Sequence, residues 1–264
     1  MRILFYGDIV GKVGRNAVHL SLNKLVEKHH IDFVIANGEN ATHGKGLSER
    51  DYHFLIDSGV DCVTLGNHWH SRQEIDEYLD DAEQLVRPLN LLNYHHGVGS
   101  AVYDVDGVSV RVTNILGTFA MTETVGAPVP ALEALLKEET EPCIHIVDYH
   151  ADSTSEKAIF AYVFDGRVSA VIGTHTHVQT ADARVLPNGT AFESDVGMCG
   201  DGGGIIGFEK RSVINKMVYG EKTPFAIDEK APMMVNAIVL DIDELTLKCR
   251  SVETINEVVT EGNN

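Results

Sequence analysis

Acidic, amide and imidazole side chains stand at the ends of five predicted β-strands in this chain of 264 residues. Three groups follow strands in the first hundred residues, and two groups follow strands in the second half. In chain order the residues are Asp8, Glu39, Asn40, Asn67, His68, His150, His175 and His177. Open α/β sheets bind ligands just beyond the carboxyl ends of their strands, so this placement predicts a common site.

The chemistry of this set is that of a metal centre. Carboxylates, carboxamide oxygens and imidazoles together suit iron, manganese or zinc, and no thiolate is needed. A bridging carboxylate can hold two cations about 3.5 to 4 Å apart, and such a pair contacts both the attacking and the leaving oxygens in a displacement at phosphorus. Asp8 taken alone is better explained as a turn or helix-cap residue. Five such groups in order favour metal binding.

The elements that would position these residues alternate β-rich and amphipathic segments, which is typical of βαβ units around a mostly parallel sheet. For the first hundred residues we predict strands at 2–6, 32–36 and 62–65, and helices at 15–28 and 48–57. A Ser caps the second of these helices.

The pattern in the second half of the sequence predicts a second sheet. Its strands are expected at 101–104, 108–114, 143–147 and 168–172, with a helix at 153–164, a hairpin at 184–193, and C-terminal strands at 234–241 and 245–252 that complete it. Segments 118–130 and 200–207 are predicted to be long loops. The resulting expectation is a single domain over residues 1–264, an α/β sandwich of two β-sheets flanked by helices.

The composition excludes several classes of protein. Lys and Arg number 21 against 39 Asp and Glu, a formal net charge of −18. Proteins that bind long nucleic acids gain affinity from Lys and Arg that neutralise phosphates, so we expect no such partner. The four separated cysteines are predicted to be reduced thiols. The sequence lacks signal-peptide features and a bilayer-spanning apolar segment, so we expect a cytoplasmic protein with no membrane partner.

The motifs around the polar residues resemble those of the calcineurin-like metallophosphoesterases. Gly-Asp at 7–8, Gly-Glu-Asn at 38–40, Gly-Asn-His at 66–68, His150 and GTHTH at 173–177 occur in the order and spacing of that superfamily. More closely, the chain resembles the bacterial YmdB-like branch over nearly its whole length, through ILFYGDIVGKVGR, NGENATHGKG, LGNHWH, DYHADSTSEK and GTHTHVQTAD. Glu39, where the wider superfamily usually has Asp, is a mark of this branch.

This resemblance implies a centre of two metal ions. Asp8 and His177 would bind the first metal, and Glu39 would bridge to the second. The residues that would complete the sites, most of them on the second metal, are Asn40, Asn67, His150 and His175. Iron is the metal that we expect, with manganese and zinc also compatible with the ligand types.

The resemblance also implies a reaction. A hydroxide held between the metals would attack phosphorus, and His68 would protonate the leaving alkoxide rather than bind metal. Proteins of this branch act on 2′,3′-cyclic nucleotides and related phosphodiesters. We therefore expect a phosphodiesterase for small cyclic nucleotides, with 2′,3′-cyclic nucleotides preferred and 3′,5′-cyclic AMP as a further candidate substrate. A homo-oligomer is expected.

Two other functions stay open at the level of sequence. A regulatory protein would keep the metal centre chiefly to bind a nucleotide signal or a protein partner, but a pure binding module has no need of His68. A dinuclear phosphomonoesterase would favour additional Lys or Arg at the mouth of the site, because its substrate carries an extra negative charge. The sequence does not reveal such residues.

Overall fold

Fourteen strands and six helices are formed by residues 1–260, the part of the chain that this computed structural model describes. The strands are β1 (Arg2–Tyr6), β2 (Asp8–Ile9), β3 (Phe33–Asn37), β4 (Cys62–Thr64), β5 (Leu85–Val86), β6 (Ser100–Val105), β7 (Val108–Leu116), β8 (Ile144–His150), β9 (Ala170–Thr174), β10 (Arg184–Val185), β11 (Ala191–Glu193), β12 (Met198–Asp201), β13 (Met233–Ile242) and β14 (Cys249–Val259). The helices are α1 (Gly11–His29), α2 (Glu49–Asp57), α3 (Ile75–Tyr78), α4 (Pro128–Glu138), α5 (Thr154–Val163) and α6 (Lys210–Tyr219). The last four residues of the predicted domain lie outside the described residues.

The first sheet joins strands from both ends of the chain. Its order is β2, β12, β13, β1, β3, β4 and β5, and β14 also pairs with β13. β1, β3, β4 and β5 are parallel neighbours, whereas β13 lies antiparallel to β1. Helix α1 covers one face of this sheet, because Val18, Leu22 and Leu25 recur at helical spacing and are buried there.

The second sheet has the order β10, β11, β9, β8, β7 and β6. β7, β8, β9 and β11 are parallel, and the hairpin partners β6 and β10 form its antiparallel edges. Helix α5 begins with the Ser153 hydroxyl as its cap, which accepts a hydrogen bond from the Glu156 backbone N–H. Its Phe160 is buried against Tyr149 of β8.

Successive side chains along a strand point to opposite faces of the sheet, and they therefore join separate apolar layers. Ile3 and Phe5 of β1 pack with Ile146 of β8 in the cluster between the two sheets, whereas Leu4 and Tyr6 join the cluster beneath α1. Burial on both faces gives the central strands their continuous apolar runs. The predicted α/β sandwich of two sheets flanked by helices is confirmed.

The prediction that the C-terminal strands complete the second sheet is wrong. β13 lies beside β1 in the first sheet, and β14 starts at Cys249, after a turn in which Leu247 has a φ of 60°. Six consecutive residues of β13, Val235 to Leu240, are buried. A strand covered on both faces fits the interior of a sheet that has a helix on one side and a second sheet on the other.

Six elements were not predicted, namely β2, β5, β12, α3, α4 and α6. Helix α4 begins within the segment expected to be a loop, with a Pro in its first turn, where a missing N–H has no cost. Strand β12 takes up the start of the Gly-rich segment, and α6 follows that segment. All four cysteines lie among the described residues and are free thiols, as expected. No helix within residues 1–260 is both long enough and apolar enough to cross a membrane.

Candidate metal centre

The eight predicted residues come together at one edge of the sandwich, where parallel strands of both sheets end. Asp8 lies in β2, and His150 is the last residue of β8. The other six lie in the connections that follow β3, β4 and β9, namely Glu39, Asn40, Asn67, His68, His175 and His177. The topology therefore places side chains that are up to 169 positions apart in a single cluster.

Glu39 contacts both sides of this cluster. Its Oε2 lies 3.4 Å from His150 Nε2 and accepts a hydrogen bond of 2.9 Å from the backbone N–H of His68. Its Oε1 accepts a hydrogen bond of 2.8 Å from Asn40 Nδ2. Because its two oxygens face different groups, one carboxylate can contact two cations here.

Three further donor atoms surround the Oε2 side of Glu39. His150 Nε2 lies 2.9 Å from Asn67 Oδ1 and 3.1 Å from His175 Nδ1. One ligand atom from each of Glu39, His150 and His175 falls within 4.8 Å of the others. A cation with imidazole, amide and carboxylate ligands matches the chemistry of this group.

Asp8 and His177 form the other side of the centre. Asp8 Oδ1 lies 3.9 Å from His177 Nε2, and Asp8 Oδ2 accepts a hydrogen bond of 3.0 Å from the backbone N–H of His175. His177 donates its Nδ1 proton to the carbonyl of Ile206 at 2.8 Å, which leaves Nε2 free to bind a metal.

A buried carboxylate oxygen supports metal binding at this position. Asp8 is fully buried, and its Oδ1 accepts no hydrogen bond from any group within residues 1–260. An unpaired buried carboxylate oxygen is costly, and a cation would stabilise it. Gly66 leaves the necessary space, because a Cβ atom there would lie 2.2 Å from Glu39 Oε2. The residues present therefore fit a resident metal centre.

Asn40 links the candidate metal ligands to His68. As placed, its Nδ2 lies 3.1 Å from His177 Nε2 and its Oδ1 lies 2.8 Å from His68 Nδ1. Binding of a metal through the oxygen requires the two amide atoms to exchange places, and this assignment depends on the surrounding hydrogen bonds. In either orientation Asn40 engages His68 Nδ1, which leaves His68 Nε2 for other partners.

Burial and neighbouring charges perturb the ionisable groups of the centre. Burial raises the pKa of Asp8 to about 6, although His177 and His150 oppose the shift. Burial lowers the pKa of His175 to about 3, so this imidazole is neutral as a metal ligand must be. Burial also acts to lower the pKa of His150, but the carboxylates of Glu39, Asp8 and Asp148 together outweigh it and the pKa rises to about 9.

A chain of hydrogen bonds orients His150 from behind. Its Nδ1 lies 2.9 Å from Thr174 Oγ1, and the Thr174 hydroxyl donates to Asp148 Oδ1 at 2.6 Å. Asp148 Oδ2 accepts two more hydrogen bonds, from Thr64 Oγ1 and Asn37 Nδ2. Such partners fix the ring orientation of a liganding His and direct its other nitrogen to the metal. Sequence reasoning did not identify Asp148, which lies inside a strand.

The connection that carries His175 and His177 is held by a buried ion pair. Both histidines have positive φ values, 105° and 66°, which are unfavourable for residues with a side chain. Lys157 Nζ of α5 donates to Asp195 Oδ2 at 2.8 Å, and Asp195 Oδ2 also accepts from the backbone N–H of Thr176 at 2.9 Å. The pair thus fixes the backbone between the two histidines.

A pocket of about 640 Å³ opens beside the centre. Glu39, His68 and His175 contribute to its walls, and His68 is among the more accessible of the eight residues, with 30% of its side chain exposed. Other lining residues were not predicted to take part, namely Lys45, Asp152, Phe208, Lys216 and Phe225. Lys45 lies in the connection after β3 and Lys216 lies in α6, and this distance in sequence explains why no basic motif was visible.

A second cluster of possible metal ligands lies elsewhere on the second sheet. It consists of Glu139, Cys143 and His145, near the start of β8. The guanidinium of Arg111 already pairs with Glu139 at 2.9 Å, and the Cys143 thiol donates to the same carboxylate. The Glu139 carboxylate is therefore already neutralised by its salt bridge to Arg111.

Comparisons with known proteins identify the relatives of this chain. The family described as YmdB-like protein matches residues 4–255. A 2′,3′-cyclic-nucleotide 2′-phosphodiesterase of Bacillus subtilis (strain 168) is 41% identical over 256 residues, which cover 97% of this chain and 96% of that protein.

Solved structures show the same relationship. The crystal structure of a novel phosphatase from Mycoplasma pneumoniae has a TM-score of 0.90 and 39% identity, covering 98% of this chain and 93% of that one. A putative 5′-nucleotidase from Staphylococcus aureus, with a TM-score of 0.61 and 17% identity over 100% of this chain and 56% of its own, shares the fold. The predicted class, an enzyme of the phosphodiesterase and phosphatase type, is confirmed. This chain belongs to the YmdB-like protein family.

Proposed function

We propose that this protein is a dinuclear metal-dependent phosphodiesterase that opens the ring of nucleoside 2′,3′-cyclic phosphates. The observation that carries the proposal is the cluster of metal-ligand atoms around Glu39, with His68 exposed to the adjoining pocket. The name of the Bacillus subtilis relative supports the choice of substrate. Hydrolysis of 3′,5′-cyclic AMP is a second activity to be tested.

The ligands divide into two groups around the bridging carboxylate of Glu39. Asp8, Asn40 and His177 would hold one metal. Those assigned to the other metal are Asn67, His150 and His175. When bound, the two cations supply Lewis acidity and a water of lowered pKa that attacks phosphorus. We expect iron, while manganese and zinc also suit these ligand types.

His68 is placed to supply the proton that the leaving group needs. Attack of water on the cyclic phosphate breaks the bond from phosphorus to the 2′ oxygen, and the product is a nucleoside 3′-phosphate. The leaving 2′ oxygen must gain a proton, and His68 Nε2 would donate it. The contact of His68 Nδ1 with Asn40 and the hydrogen bond from the His68 backbone to Glu39 hold the ring in place.

A variant pair tests this role. General acid catalysis contributes about 10² to 10⁴ in rate, so His68→Ala should raise the barrier by roughly 3 to 5 kcal/mol while the bound metal stays at the wild-type level. His70→Ala is the matched control, because His70 pairs with Asp76 at 2.8 Å and does not line the pocket. Loss of metal from His68→Ala, or retention of full activity, would contradict the assignment.

A substrate panel on protein of known metal content tests the function itself. The panel compares 2′,3′-cyclic AMP, 3′,5′-cyclic AMP, a phosphate monoester and a short RNA. We expect the highest kcat/KM for 2′,3′-cyclic AMP and poor cleavage of RNA, because the net charge of −18 repels a long polyanion. Absence of hydrolysis with every metal would instead favour a regulatory role in nucleotide binding.

Phosphomonoester hydrolysis is the second candidate, and one observation favours it. Lys45 and Lys216 line the pocket, so the cationic residues that a dianionic substrate requires are present after all. A higher kcat/KM for the monoester than for 2′,3′-cyclic AMP would select this alternative. Substituting either lysine by Gln should then reduce monoester turnover more than diester turnover, because the monoester carries one more negative charge.

A further inference from the structure

An aromatic wall lines the same pocket as the candidate metal ligands. It consists of Phe208 and Phe225, whose ring centroids are 5.3 Å apart with an angle of 49° between the planes. Lys216 Nζ lies 4.6 Å from the centroid of Phe225. Both rings are only partly buried, so they offer apolar surface to a ligand.

Two contacts tie this wall to the metal centre. The carbonyl of Ile206, two residues before Phe208, accepts the hydrogen bond from His177 Nδ1. Gly44, five residues after Glu39, packs against the edge of Phe208, where a Cβ atom would lie 2.6 Å from Phe208 Cε1. The segments that carry the wall and the ligands are thus held together at fixed points.

We propose that Phe208 and Phe225 form the subsite for the nucleobase of the substrate, with Lys216 as a hydrogen-bond donor at its edge. The inference rests on the proposed function. It adds that the pocket recognises the base of a nucleotide as well as its phosphate. Bases stack on aromatic side chains through their π-faces whatever their hydrogen-bonding edges, so the wall accepts purines and pyrimidines alike. The pocket volume of about 640 Å³ lies within the range of sites that enclose small organic ligands.

The charge distribution supports this occupant over a purely apolar one. The chain is strongly acidic, yet two lysines line this pocket. An aromatic surface next to ammonium groups matches a ligand that has a flat heterocycle and an anionic group, as a nucleotide does. A ligand without an anionic group, such as an apolar peptide, would leave those ammonium groups without partners.

Equilibrium binding tests the subsite without requiring turnover. Calorimetry on metal-loaded protein measures the affinity for adenosine 3′-monophosphate and for its base-free analogue, 1-O-methylribose 3-phosphate. We expect wild-type protein to bind the nucleotide at least about tenfold more tightly, as base–aromatic stacking implies. Phe225→Leu should lower this ratio about tenfold, and Phe225→Tyr should restore most of it. Phe119→Leu is the matched control, because Phe119 is exposed and lies outside the pocket.

The possible results separate this inference from the proposed function. If wild-type protein binds both ligands equally, or if Phe225→Leu weakens both to the same degree, the subsite assignment is wrong. If the binding ratio behaves as expected but no cyclic phosphate is hydrolysed, the nucleobase subsite stands and the proposed reaction fails. The wild-type comparison decides the matter even if a Phe225 variant does not fold.

Discussion

Replacement of Lys157 by Met removes the ammonium group from the buried ion pair behind the candidate metal ligands. Lys157 Nζ donates to Asp195 Oδ2 at 2.8 Å and to the carbonyl of Thr174 at 2.7 Å, and both charged side chains are fully buried. Met has nearly the same length and packs as an apolar side chain. The substitution therefore tests the charge and not the volume.

The expected cost follows from what remains around Asp195. Removing one partner of a buried ion pair typically costs about 3 to 5 kcal/mol, because the other charge stays buried without compensation. Asp195 keeps two backbone donors, the N–H groups of Thr176 and Gly197, each at 2.9 Å. These donors stabilise the lone carboxylate in part, so we expect a loss of about 3 kcal/mol in the free energy of unfolding.

Urea unfolding of metal-free protein measures this loss, and Lys12→Met provides the matched control. Lys12 pairs with Glu229 at 2.9 Å, a distance like that of the buried pair, but both side chains are exposed. Exposed pairs contribute about 0 to 1 kcal/mol, so the control should change little. A double variant, Lys157→Met with Asp195→Asn, should recover about 1 to 3 kcal/mol, because no charge is left unpaired.

Metal content is the second measurement. The carboxylate of Asp195 holds the backbone of Thr176, which lies between His175 and His177 in strained conformations. Loss of its partner should loosen both ligands and lower metal occupancy. A cost below about 1 kcal/mol together with unchanged occupancy would refute the role of the pair, since an exposed pair would do the same.

Three further predictions concern the buried acid Glu193, the space at Gly66 and the effect of metal. Burial and neighbouring carboxylates raise the pKa of Glu193 to about 9, so between pH 6 and 8 only the folded state holds its proton and stability falls as pH rises. In urea unfolding experiments, the free energy of unfolding of Glu193→Gln relative to wild type should therefore rise by about 1.4 kcal/mol for each pH unit across that window. A difference between the two proteins that does not change with pH would contradict this. Gly66→Ala should abolish metal binding because its Cβ would lie 2.2 Å from Glu39 Oε2, whereas Gly126→Ala, with no neighbour closer than 3.5 Å, should bind metal normally. Adding metal at about 100 times its Kd should stabilise metal-free wild type by roughly 2.7 kcal/mol, and Glu39→Gln should lose most of that gain.

The positions of the candidate ligands were predictable because strand ends are marked locally. A short buried run followed by Gly and a polar residue identifies the turn beyond a strand, as at Glu39 and Asn67. The partners of β13 were not predictable, because its six buried residues suit the interior of either sheet. A strand that pairs with another more than two hundred positions away takes the place in a sheet that the other packed elements leave open.

The sequence by itself determined the donor types of the centre, their order along the chain and the acidity that disfavours long nucleic acids as partners. The tertiary structure decided the rest. It placed Asp148 behind His150, paired Lys157 with Asp195, and assembled the wall of Phe208 and Phe225 with its adjacent lysine. These groups have no local motif, since the contacts that hold them, such as Thr174 with Asp148 and Lys157 with Asp195, join different elements of the fold. Their orientation depends on how the two sheets pack, which only the folded chain specifies.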